Sequence, residues 1–197
     1  MAIVTEALRA DTRSRILDAA LQAVSTFGLS RFTMDDVARA AGMSRQTVYR
    51  YFDSKDDLVM AVVYREEEAF LEGVRAAFGR HRDLEPAMRE AMLFCLRAAR
   101  EHPLLDRLLA SEPEVLLPYL TTRGAGLVAR GRSTLEELVA GRPGVRPELV
   151  HRAADIATRA IVSYTLTPSE DDPREIAGET ARLLTAAVRK PRKEDRT

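Results

Sequence analysis

The chain has 197 residues, 46% hydrophobic and 30% charged, with thirty Lys and Arg set against thirty Asp and Glu. This is ordinary globular usage for one or two small domains, and the zero formal charge excludes a globally basic polyanion binder: attraction to nucleic acid has to come from local clustering. One cysteine, Cys95, excludes an internal disulfide and is expected as a small buried hydrophobe. The apolar run Leu58 to Tyr64 falls far short of the ~20 residues of a membrane span, and MAIVTEALRADTR does not read as a signal peptide, so a soluble, cytoplasmic protein is expected.

The first predicted helix is capped by Asp11 or Thr12, carries Ile16, Leu17, Ala20, Leu21, Val24 and Phe27 on its apolar face, and stops at Gly28. Thr33 and Asp36 then form a capping-box start, with Asp in place of Glu or Gln. Met34, Val37, Ala38 and Ala41 share one face of a 3.6-residue period, and Met43, Val48 and Phe52 form a second apolar set beyond Gly42. Gly42 supplies the left-handed turn, Ser44 caps the second helix, and small Ala38 permits a close crossing. The spacing predicts a helix-turn-helix.

The polar side of the second helix is Arg45, Gln46, Thr47, Tyr49 and Arg50. In a major groove, Arg pairs with guanine, Gln with adenine, and Thr with the thymine methyl or a phosphate. From Val37 to Lys55 there are four basic residues (Arg39, Arg45, Arg50, Lys55) and one acid (Asp53), an excess of three positive charges near which phosphates can be neutralised. The residues alone also allow an ordinary helical hairpin with a solvated basic face. Ser54 caps a helix beginning KDDL, buried along Leu58, Val62, Phe70 and Val74. Lys55 stands in its first turn, where the backbone already favours a phosphate.

Residues 12 to 60 closely resemble the DNA-binding domain of TetR-type transcriptional regulators, through FTMDDVARAAGMSRQTVYRYF and above all VYRYFDSKDDL. The resemblance implies a DNA-binding head at 10–55 and a helical effector-binding and dimerisation region at 56–190; the charge run KPRKEDRT separately leads to a tail at 191–197 that is expected to be disordered. The resemblance places Arg45, Gln46 and Thr47 at base edges. It places Thr33, Ser44, Tyr49, Arg50, Tyr51 and Lys55 near phosphates, although Tyr51 stands where many members carry His and fits a packed position equally well.

Farther along, Pro86 stands near a helix start, and a stripe runs from there through Met88, Met92, Cys95, Leu96 and Ala99. Pro103 opens LLDRLLA, Pro113 and Pro118 are expected as breaks, and a longer helix runs to about Val139 before GRPG. No segment alternates with period two, so the chain reads as all-α. The last two stripes are Leu149, Ala153, Ile156, Ala157, Ala160, Ile161 and Tyr164, then Ile176, Thr180, Leu183, Leu184, Ala187 and Val188. Periodicity suits an intrachain core or a dimer equally; the family resemblance implies a four-helix bundle between two copies, with Ile156, Ala160, Tyr164, Thr180, Leu184 and Ala187 at the interface. Such a homodimer would set two reading helices roughly 34–36 Å apart on a near-palindromic double-stranded operator.

By the same resemblance a small-molecule effector would sit against Phe70, Met92, Phe94, Cys95, Tyr119 and Tyr164, although each also reads as a plain core residue. The effector would shift the helix opening at Ser54 and release DNA. His81, His102 and His151 are far apart, no HExxH, Walker or GxGxxG pattern occurs, and Pro103 separates His102 from any continuation of the Cys95 helix. No cofactor, metal or catalytic site is expected, and His151 with Asp155 reads as a surface i, i+4 pair. A ligand-responsive DNA-binding repressor is the leading reading, ahead of a helical interaction module and, remotely, an enzyme.

Overall fold

A computed structural model of the protein describes residues 2–189, so the tail expected at 191–197 lies outside the described residues. The chain forms α1 (Ala2–Phe27), α2 (Met34–Ala41), α3 (Arg45–Tyr51), α4 (Lys55–Gly79), α5 (Leu84–Arg100), α6 (Pro103–Ser111), α7 (Pro113–Leu120), α8 (Ala125–Val139), α9 (Pro147–Leu166) and α10 (Pro173–Val188). Among the described residues the extended backbone pairing is a single antiparallel bridge between Val145 and Arg189. The all-α reading therefore holds.

Two expectations about boundaries need correction. Asp11 and Thr12 lie inside α1, which begins at Ala2. The segment before them contains no Gly or Pro and several strong helix formers, so nothing in it stops the helix. Pro118 sits within α7 and does not break it. A proline removes one backbone donor, a loss that a two-turn helix with buried Leu116 and Tyr119 absorbs.

The molecule divides into two compact units. One draws on α1–α3, α4 through Glu67, and Leu104–Tyr119 of α6 and α7; the other draws on α4 from Glu68, α5 and α8–α10. The first unit thus takes in a segment, residues 104–119, that is remote in sequence from the rest of it. The reason is visible within the first unit, where Arg107 of α6 donates to the carbonyls of Val24 (2.9 Å) and Ser25 (2.6 Å) near the end of α1. Carbonyls in the last turn of a helix are short of helical partners, and a guanidinium complements its negative end.

The first unit is closed by Ile16, Phe32, Val37, Val48 and Leu58, all essentially inaccessible. Burying side chains of this size contributes about 1.5–3 kcal/mol each before ordering costs. In the second unit α5 and α10 pack along Leu84, Met88, Ala91, Met92 and Cys95 against Ala177, Ala181 and Leu184. Small alanines let α9 and α10 approach this core closely.

Candidate nucleic-acid interface

The head is assembled by local backbone chemistry. Thr33 accepts from the Asp36 N–H (3.2 Å), while Asp36 accepts from the Thr33 N–H (2.9 Å) and hydroxyl (2.7 Å), completing the capping box with Asp. The Thr33 hydroxyl and N–H hold the Asp36 carboxyl below its ordinary range. Gly42 takes φ +66, its N–H and that of Met43 satisfy carbonyls at the end of α2, and Arg15 of α1 donates to Ala41 (3.1 Å). Ser44 accepts from Thr47 N–H at 3.1 Å, starting α3 soon after the turn.

Within α3, Val48 is fully buried, and Phe52 just beyond the helix is nearly so; both fix the orientation of the opposite face. Gln46 and Arg50 are exposed on that face, Arg45 and Tyr49 are exposed beside it, and Thr47 and Tyr51 are half-buried. The donors are organised rather than loose. Arg45 donates to Asp35 (3.1 Å) and to the Tyr49 hydroxyl (3.4 Å), and its pKa is raised by Tyr49 first and by Asp35 second. Arg50 lies over the Tyr51 ring at 5.7 Å. Ser44 and Thr47 share a hydroxyl hydrogen bond of 2.9 Å.

Lys55, the first residue of α4 after the Ser54 cap, is held by the loop between α1 and α2. Its ammonium donates to the Ser30 carbonyl (3.1 Å) and stands 4.3 Å from the Phe32 ring centroid. Partial burial lowers its pKa, opposed by the charges of Glu112 and Asp56. Glu112, between α6 and α7, accepts from Ser30 N–H at 2.7 Å, and its carboxylate lies so close to Gly28 that a methyl group there would collide with it. Gly28 also has φ +86, so two constraints act on one residue. These long-range partners left no trace in local pattern.

The other predicted sets are distributed differently. Met92 and Cys95 are buried in the core of the second unit, and Phe70, Phe94 and Tyr164 pack against it. Phe70 and Phe94 meet with centroids 5.7 Å apart. Tyr119 belongs to the first unit, where its hydroxyl donates to Asp56 at 2.6 Å. An open groove of about 500 Å³ lies instead along Glu85, Arg89, Arg174 and Arg182, lined by none of the expected effector residues.

Of the expected interface positions, Ile156 is 61% exposed, Ala187 is exposed, and Ala160, Tyr164 and Thr180 are half-buried. Leu184 is only 6% exposed and packs inside its own unit, whereas neighbouring Leu183 is 73% exposed. His151 does not pair with Asp155 by hydrogen bond: it meets Glu136 at 2.8 Å, and Asp155 accepts from Arg159 at 2.8 Å. Burial pushes the Cys95 thiol up to about 12, which leaves it protonated and unreactive at neutral pH. Among the described residues, no group of three or more His, Cys, Asp or Glu is placed to hold a metal ion, and no helix is long and apolar enough to cross a membrane.

Comparison with known proteins accounts for nearly all of this architecture. The family model described as bacterial regulatory proteins, tetR family, matches residues 16–62, and that described as bacterial tetracyclin repressor, C-terminal domain, matches residues 83–186. The HTH-type transcriptional regulator AlkX of Mycobacterium tuberculosis is 30% identical over 189 residues, covering 91% of this chain and 86% of that protein. The crystal structure of the TetR family repressor AlkX from Dietzia sp. strain DQ12-45-1b, implicated in biodegradation of n-alkanes, is 29% identical with a TM-score of 0.73, covering 89% of this chain and 98% of that one. SrpR of Pseudomonas putida is 43% identical over 63 residues, 32% of this chain and 30% of that protein. The chain belongs to the TetR family of bacterial regulatory proteins: it is a DNA-binding transcriptional regulator with the dimer-forming fold of that family.

Proposed function

We propose that this regulator is a repressor that binds a near-palindromic operator as a homodimer and is released by a small-molecule effector. The observation that carries the reading is the exposed row Arg45, Gln46, Tyr49 and Arg50 on a helix pinned from behind by Val48. In this reading Arg45, Gln46 and Thr47 meet base edges, and Thr33, Ser44, Tyr49, Arg50, Tyr51 and Lys55 meet phosphates. Residues 10–55 form the reading head, and 56–190 serve effector binding and dimerisation. The exposed apolar positions Ile156 and Leu183, with Ala160, Thr180 and Ala187, supply the face for the second copy.

The effector is an apolar or amphipathic molecule received against the half-buried rings of Phe70, Phe94 and Tyr164. The n-alkane context of the Dietzia AlkX repressor supports aliphatic chains as the first class to try. Binding acts by favouring a conformation of α4 that fits DNA less well, and only a difference in affinity between the two states can release the operator.

The test is fluorescence anisotropy with labelled DNA from upstream of the protein's own gene, against a scrambled duplex at fixed near-physiological salt. A preference of about a hundredfold or more supports the reading, approaching the ~10³–10⁷ span of specific over non-specific binding. Selection from genomic fragments that yields no preferred sequence would sink it. n-Alkanes and their oxidised derivatives are then added to the complex; compounds that bind at saturation without weakening operator affinity would remove the allosteric part.

A further inference from the structure

Asp35, the second residue of α2, contributes nothing to the capping box, which Asp36 completes with Thr33. Its carboxylate instead receives Arg45 Nη1 at 3.1 Å, across the turn between the two helices. Both side chains remain open to solvent, Arg45 at 62% and Asp35 at 52%, so the pair sits on the outer surface of the head and not in its core. On the other side, Arg45 Nη2 donates to the Tyr49 hydroxyl at 3.4 Å, and the guanidinium carbon stands 5.3 Å from the Tyr49 ring centroid.

An acid on a face that approaches phosphates weakens binding to every DNA sequence. An exposed ion pair contributes little to folding in compensation. What the carboxylate can supply is orientation. A free arginine at the first position of a helix can swing to a phosphate, where it acts as a sequence-blind cation. Tied at Nη1 to Asp35 and at Nη2 to Tyr49, the guanidinium has two of its five N–H donors engaged; three remain, and a guanine edge requires two.

We propose that Asp35 is a positioning residue for base readout, holding Arg45 in the plane of a guanine edge with Tyr49 as its second support. This rests on the reading of Arg45 as a base-contacting residue. It also assigns opposite signs to two measurable quantities. The Asp35 charge lowers affinity for all DNA, whereas its hydrogen bond raises discrimination at one base pair. A merely structural residue would move neither in this pattern, and loss of an ordinary cationic contact would lower affinity throughout.

The experiment measures Kd for the full-length protein with the selected operator, every single-base-pair variant of it, and an unrelated duplex at fixed salt. The proteins are wild type, Asp35→Asn, Asp35→Ala, Tyr49→Phe and Arg45→Ala. With either Asp35 variant, binding to the unrelated duplex should tighten by roughly two- to fivefold; with Asp35→Ala, which also removes the acceptor, discrimination should fall by about tenfold at the same base pair that Arg45→Ala relaxes. Tyr49→Phe should produce a smaller loss at that pair. The thermal midpoint of Asp35→Asn should match wild type.

If Arg45→Ala relaxes a position that Asp35→Ala leaves intact, the positioning role fails while the reading of Arg45 stands. If Arg45→Ala relaxes no position, the base-reading assignment itself fails, and the positioning role with it. Uniformly weaker binding of Asp35→Asn to operator and unrelated DNA alike would also overturn the proposal.

Discussion

The α2–α3 pair and the α9–α10 pair are both helix hairpins that bury one side in their own unit and leave another side uncovered. In the first, Val37, Ala38 and Val48 go inside, and the uncovered side carries Arg45, Gln46, Tyr49 and Arg50. In the second, Ala154, Ala157, Ala177, Ala181 and Leu184 go inside, and the uncovered side carries Ile156 and Leu183. The leftover chemistry distinguishes the partners. Directional donors lose little by staying in water until a polyanion with matching acceptors arrives, whereas exposed branched apolar side chains gain by meeting another apolar surface. A residue count that merged the two faces would find a neutral, ordinary protein.

The largest expected effect comes from charging the apolar face. The double variant Ile156→Glu, Leu183→Glu should sediment as a monomer and bind operator about a hundredfold or more weakly, since two linked heads gain ~10²–10⁴ over one. A variant that remains dimeric would show that the second copy docks elsewhere. At the other face, Gln46→Ala should relax base preference by roughly ten- to a hundredfold at one position. Lys55→Ala should weaken all sequences alike and reduce the salt slope by about one. Equal behaviour of these two variants would erase the distinction between reading and anchoring residues.

Backbone changes test the support beneath the reading face. Gly28→Ala has to accommodate both φ +86 and the Glu112 carboxylate, and should cost about 1–3 kcal/mol by denaturant unfolding. Gly42→Ala meets open space at φ +66 and should cost about 1 kcal/mol, so the reverse order would discredit the Glu112 contact. Ser44→Ala should cost about 1 kcal/mol through loss of the α3 cap.

The smallest effect is pH-dependent. The Asp36 carboxyl is held below its ordinary value of 3.8, chiefly by Thr33, so its contribution is present above that value and is lost as pH falls through the lower folded-state value. The stability difference between wild type and Asp36→Asn should therefore be constant near neutrality and shrink only in strong acid. A difference that vanished between about pH 5 and 7 would contradict the capping geometry.

Sequence alone determined the features whose causes lie within about one helical turn. The Thr33–Asp36 box, the left-handed Gly42, the Ser44 and Ser54 caps and the end of α8 at Val139 all rest on neighbouring groups. So does the identity of the outer donors on α3, because a 3.6-residue period with Val48 inside leaves Gln46 and Arg50 outside; Arg45, three residues before Val48, is exposed because it stands at the helix start. Tertiary structure alone decided their partners: Asp35 for Arg45, Ser30 and Phe32 for Lys55, Glu112 for the Gly28–Ser30 loop, Glu136 for His151, and the choice of Leu183 over Leu184 as the uncovered leucine. Caps are satisfied by atoms a few bonds away, but Ser30 and Glu112 are 82 residues apart, and only the packing of α6 and α7 on the head brings that carboxylate to that N–H.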